Sequence, residues 1–121
     1  MLRGKLYSVI ESSLLDQKIN ARIALNKDHE IFQGHFPEIP ILPGVCTIQI
    51  ISELLGEHLK SKLRLTDGDT IKFIGLVNPN TDSQLNVEIN ILKREQNTVS
   101  VSCQVSTQTA SVFKMKGTFL C

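Results

Sequence analysis

The sequence predicts an α+β domain, with an antiparallel sheet wrapped around one central helix. Three observations carry this. Six segments alternate apolar and polar residues with period two, the mark of strands. One segment, residues 44–60, is apolar around most of a helical circumference, as a buried helix is. The connections among the last three strands are short, so neighbours pair antiparallel. Strands with one apolar face each and a helix apolar nearly all round satisfy one another most simply when the sheet curves around the helix.

The 121 residues are the length of one domain, read as spanning 1–121. A chain of this size buries roughly 65–70% of its unfolded surface, enough for a core without staples. The net charge of +1 offers no field for nucleic acid or an anionic membrane, and the absence of Trp argues against a base-stacking surface. Cys46, Cys103 and Cys121 are odd in number and far apart, which fits free thiols in a reducing compartment. The start, MLRGKLYSVIESS, lacks a signal-peptide apolar region. No apolar run reaches the roughly 18 residues of a membrane span. The expectation is a cytoplasmic protein that binds neither nucleic acid nor membrane.

In chain order, residues 5–14 and 17–26 alternate as strands, with Asp16-Gln17 as the hairpin turn between them. Glu30-Ile31-Phe32 reads as a short turn of helix. Residues 33–43 form a loop stiffened by Pro37, Pro40 and Pro43. The long helix follows, with Val45, Ile48, Ile51, Leu55 and Leu59 on one apolar side and Ile50 and Leu54 on a second. Its narrow polar stripe is Gln49, Glu53 and then Gly56 or Glu57. Thr66-Asp67-Gly68-Asp69 reads as a turn, and residues 70–77 as the next strand. Three further strands cover residues 84–92, 98–106 and 110–120. The outer strand faces are polar only in places, which fits a dimer.

His35 stands between a glycine and Phe36-Pro37 in the stiff arm. One reading is a loop histidine bonded to a backbone carbonyl. The other follows from what comes next, Pro43-Gly44-Val45 at a helix N-terminus. That end offers unpaired N–H groups and the positive end of the macrodipole, and glycine lets a ligand approach the backbone. A base near such donors suits carbonyl chemistry, in which one group takes a proton beside the carbonyl and the other holds the oxyanion. Cys46, near the same end, reads as a small buried residue rather than a reactive thiol. His29 reads as a loop or cap residue and His58 as a helix C-terminal residue whose charge suits the dipole. Lys60, Lys62 and Arg64 form either a solvated turn or a basic contact for an acidic partner.

The run His-Phe-Pro-x-x-Pro-x-x-Pro-Gly-Val, His35 to Val45, resembles the signature of the β-hydroxyacyl-acyl-carrier-protein dehydratases of the FabZ/FabA type, which have the hotdog fold. Asp28-His29-x-Ile31-Phe32-x-Gly34 and Ile71-Lys72-Phe73 are similar to the same family. The resemblance implies a homodimer or higher homo-oligomer with active sites at the chain interface. Its substrate would be an acyl thioester on the phosphopantetheine arm of acyl carrier protein or coenzyme A. It implies that His35 acts on the α-proton and that Gly44, with Val45 beside it, gives backbone N–H to the thioester carbonyl. No metal or redox cofactor is implied.

The family's helix carboxylate lies fourteen residues after the histidine, where this chain has Gln49. An amide can orient a hydroxyl or a water but cannot deliver a proton. Positioned acid–base groups contribute on the order of 10²–10⁴-fold. The usual Glu-x-x-x-Gln is exchanged here for Gln49-x-x-x-Glu53, with Glu53 about 6 Å away on the same helix face. Glu53 either supplies the carboxylate, directly or through one water, or is only a hydrogen-bond partner in the polar stripe. Ile74-Gly75-Leu76 and Pro79-Asn80-Thr81-Asp82 also depart from the family text. The expected function is a 3-hydroxyacyl-carrier-protein dehydratase-like enzyme with His35, Gln49 and Glu53 catalytic. The alternatives are an acyl thioesterase on the same fold and a non-catalytic acyl-binding or partner subunit.

Overall fold

The computed structural model describes residues 1–34 and 40–121. The elements are β1 (Tyr7–Leu15), β2 (Lys18–Leu25), α1 (Ile31–Gly34), α2 (Gly44–Leu59), β3 (Arg64–Phe73), β4 (Gln84–Arg94), β5 (Thr98–Ser106) and β6 (Ser111–Leu120). The strands form one antiparallel sheet in the order β1-β2-β4-β5-β6-β3. The sheet wraps α2, which makes this the hotdog fold.

Register explains the core. Ile19 pairs with Ile89, Ile89 with Cys103, Cys103 with Met115 and Met115 with Ile71, so one apolar row crosses the sheet. Ala21, Val87, Val105, Phe113 and Phe73 form the next row in the same way. Because side chains alternate along a strand, these rows share one face, and all their members except the β3 residues Ile71 and Phe73 are buried in a single cluster with Ile50, Ile51, Leu54 and Leu55 of α2. The hairpin at Asp16-Gln17 has positive φ at both residues (52° and 64°), the twist that matches its strands. The helix ends at Lys60 in the left-handed region.

Two expectations need correction. Residues 66–69 are not a turn. They lie inside β3, whose pairing with β6 absorbs two bulges, at Leu65/Asp67 and Gly68/Thr70. Asp-Gly is a turn signal locally, but Gly117 of β6 faces it, and a Cβ there would stand 2.7 Å from the Asp67 carbonyl oxygen. The missing side chain lets the bulged strand lie close and stay paired. The strand also ends at Phe73 rather than residue 77. Beyond it, Ile74 and Gly75 donate to the Val112 carbonyl, and Leu42 donates to that of Val77 at 2.9 Å. That last bond ties the residues just before α2 to the segment that follows β3. A smaller difference concerns Val45, expected on the buried side of the helix but 75% exposed.

Candidate active site

Pro43 is the N-cap of α2, in extended geometry (φ −63°, ψ 144°), and no side chain caps the first turn. Its carbonyl accepts from Cys46 at 3.0 Å and Thr47 at 3.3 Å, which leaves the N–H groups of Gly44 and Val45 without acceptors among the described residues. They carry the positive end of the α2 dipole. Phe73 lies against Gly44 so closely that a Cβ would meet its Cε1 at 2.3 Å, and the ring packs edge-on to Phe113 at 5.3 Å. Pro43, Gly44, Val45, Phe73, Leu76 and Phe113 line an apolar groove of about 410 Å³ at this point. Backbone donors at the mouth of an apolar groove can hold a developing oxyanion beside an acyl chain.

His35 lies outside the described residues. Gln49 is exposed on α2, while Glu53, one turn further on, is buried. Three of the four residues that bond Glu53 come from the first seven positions of the chain, and the fourth is Gln49. The Leu2 N–H donates to the carboxylate at 2.9 Å, the Arg3 N–H at 2.9 Å, the Tyr7 hydroxyl at 3.0 Å and the Gln49 amide at 2.9 Å. Burial by itself would raise the Glu53 carboxyl. The N–H of Leu2, the Gln49 amide, the N–H of Arg3 and the Tyr7 hydroxyl together outweigh it and hold the group below its ordinary value. Burial, the Glu53 charge and their hydrogen bond push the Tyr7 phenol up, so it stays protonated and donates. Arg3 also pairs its side chain with Glu57 on the next turn.

Sequence reasoning missed Tyr7, Leu2 and Arg3. One signal was available, since a buried tyrosine needs a partner for its hydroxyl, and Tyr7 is the only tyrosine in the chain. The backbone donors left no signal. The other candidates sit as simple residues. Cys46 is buried, and burial raises its thiol. His29 Nδ1 accepts the Ile31 N–H at 3.1 Å and caps α1. His58 Nε2 is 2.6 Å from Ser12 Oγ of β1. Lys60, Lys62 and Arg64 are exposed. Among the described residues, no three His, Cys, Asp or Glu side chains gather as metal ligands would, and no helix is long and apolar enough to cross a membrane.

The fold is that of the hotdog proteins, and the uncapped start of α2 is its candidate site. The model of the ApeI-like family, described as ApeI dehydratase, matches residues 11–115, and the chain belongs to that family of FabZ-like hotdog dehydratases. It is 30% identical over 107 residues to a 3-hydroxyacyl-(acyl-carrier-protein) dehydratase FabZ of Ruminiclostridium cellulolyticum, covering 83% of this chain and 75% of that protein. It is 38% identical over 69 residues to the FabZ of a Thermoanaerobacter species, covering 51% of this chain and 49% of the other, so it spans about half the length of that relative. Among solved structures, the dehydratase heterocomplex ApeI:P from Xenorhabdus doucetiae matches with a TM-score of 0.77 at 19% identity, covering 93% of this chain and 96% of that one. At that identity the likeness speaks for the fold.

Proposed function

We propose that the chain, as one cytoplasmic hotdog domain, removes water from a 3-hydroxyacyl thioester carried on acyl carrier protein or coenzyme A. The observation that carries this reading is the uncapped start of α2 at Gly44, opening on an apolar groove just after the motif that holds His35. His35 takes the α-proton. The N–H groups of Gly44 and Val45 hold the negative charge that moves onto the thioester oxygen. The β-carbon–oxygen bond then breaks and the hydroxyl leaves as water. Gln49, held by Glu53, orients that hydroxyl, and the proton His35 has taken is the one available to it. Glu53 acts through Gln49 rather than as the acid, because its environment keeps it ionised.

The working unit in this reading is a homodimer or a larger homo-oligomer. β3 is a sheet edge exposed along nearly its whole length, and Phe73, Ile74, Leu76 and Val45 present apolar surface beside it. An edge of this kind is left for a partner strand. A second reading, a subunit that completes a site with a different hotdog chain, is favoured by Gln49 standing where the family has a carboxylate. The ApeI:P structure is itself a heterocomplex.

Incubation of the purified protein with a 3-hydroxyacyl thioester, followed by mass spectrometry, decides among the readings. A product lighter by one water supports the dehydratase. A free thiol makes it a thioesterase. Unchanged thioester, turned over only when a second hotdog chain is added, makes it a partner subunit.

A further inference from the structure

The contacts of Glu53 assign a direction to the Gln49 amide. Glu53 Oε1 accepts the Arg3 N–H and the Tyr7 hydroxyl, while Oε2 accepts the Leu2 N–H and Gln49 Nε2, both at 2.9 Å. A backbone N–H can only donate, so neither oxygen is placed to carry a proton toward its neighbours, and the carboxylate is an acceptor on every side. Whatever end of the Gln49 amide faces it must therefore be the NH₂ group. The carbonyl oxygen is the end left for the exposed side, where Gln49 lines a cavity of about 350 Å³ with Met1, Ser52, Glu53 and Gly56; it shares no lining residue with the Gly44 groove of the same chain, so in the dimer reading the hydroxyl that meets it belongs to a thioester held by the partner. Without Glu53, either end of an exposed glutamine could face outward.

We propose that Glu53 is a positioning residue that holds Gln49 with its oxygen outward, so that the site accepts a hydrogen-bond donor there and selects 3-hydroxyacyl over 3-oxoacyl thioesters. The selection rests on the acyl-thioester reading above. A β-hydroxyl donates its O–H to the amide oxygen. A β-carbonyl sets one acceptor against another and leaves both without a partner. Exchanging the carboxylate for an amide reverses the arrangement. In Glu53→Gln, the new side chain keeps its oxygen in the place of Oε1, within reach of Arg3, Tyr7 and also Leu2, whose N–H already lies 3.2 Å from that atom, and turns its NH₂ group to residue 49. Gln49 must then offer its oxygen inward and its NH₂ group outward.

The test measures binding of unreactive amide analogues of 3-hydroxyacyl- and 3-oxoacyl-pantetheine, together with the side-chain NH₂ resonances of Gln49. The wild-type chain is expected to prefer the hydroxy analogue by roughly tenfold and to show one Gln49 NH₂ proton shifted and protected by the carboxylate. In Glu53→Gln the preference disappears and the protected proton is lost. Gln49→Leu, an exposed change that leaves the fold intact, also removes the preference and keeps the measurement sound if Glu53→Gln folds poorly. Equal binding of the two analogues by the wild type, or an unchanged preference in either variant, overturns the positioning role while dehydration in the mass assay leaves the reading standing. If neither analogue binds and no thioester is dehydrated, the acyl-thioester reading itself has failed and the selectivity falls with it.

Discussion

Two stretches of α2 meet their surroundings in opposite ways. At its start, Gly44 and Val45 present donors with no acceptor among the described residues, beside an apolar groove. At Glu53, the helix presents an acceptor whose two oxygens take donors from Leu2, Arg3, Tyr7 and Gln49. Donors at an exposed helix start can be satisfied by water or by a ligand, whereas a satisfied buried carboxylate stabilises the fold that satisfies it. The same helix therefore has an end without acceptors among the described residues and a middle committed to the protein. Gln49 lies between them, bonded to the committed group and exposed on its other side.

The largest expected effect comes from removing the committed group. Glu53→Ala leaves the Tyr7 hydroxyl and the Leu2 and Arg3 N–H groups without their acceptor, and should cost about 3 kcal/mol in urea unfolding. A loss below about 1 kcal/mol would show that the first seven residues are held by something else.

Acid should act more gently on the same contact. The folded Glu53 carboxyl sits below its ordinary value of 4.5, so its contribution is present above that value and is lost as the pH falls from there through the lower folded value. Stability measured across the acid range should drop less steeply in Glu53→Gln than in the wild type. Equal slopes would mean that the lowered carboxyl contributes little to folding.

The open end should show the smallest change in stability. Gly44→Ala forces the Phe73 ring away, and since Phe73 is 62% exposed the ring has room to turn. A loss of about 1 kcal/mol is expected, restored in Gly44→Ala/Phe73→Ala. If the double variant is no more stable than the single one, the contact with Phe73 is not what requires glycine at the helix start.

Much of this fold could be read along the chain, for a physical reason. Strands 84–92 and 98–106 announce themselves because each has one face in water and one in the core, and that alternation is written in the residues. The helix from Gly44 was legible because three prolines end whatever precedes it and a stretch apolar around most of a helical circumference follows. The bulged part of β3 was not. Asp67-Gly68 is a turn by local preference and a strand only because Gly117, far away in sequence, leaves room for it. The family resemblance rests on residues 28–45 and 71–73, and the family model matches residues 11–115.

Chemistry at the site divides along the same line. His35, Gly44 and the i, i+4 pair Gln49 and Glu53 are local features that residue types and spacing single out as candidates, and the family resemblance alone marks the pair as exchanged. Which of the pair is buried and which is left exposed is not a local property. It depends on where the first seven residues return, and their backbone N–H groups carry no mark in the sequence. Tertiary packing sends them to Glu53, which makes that carboxylate an ionised anchor and leaves the amide of Gln49 as the group that faces outward.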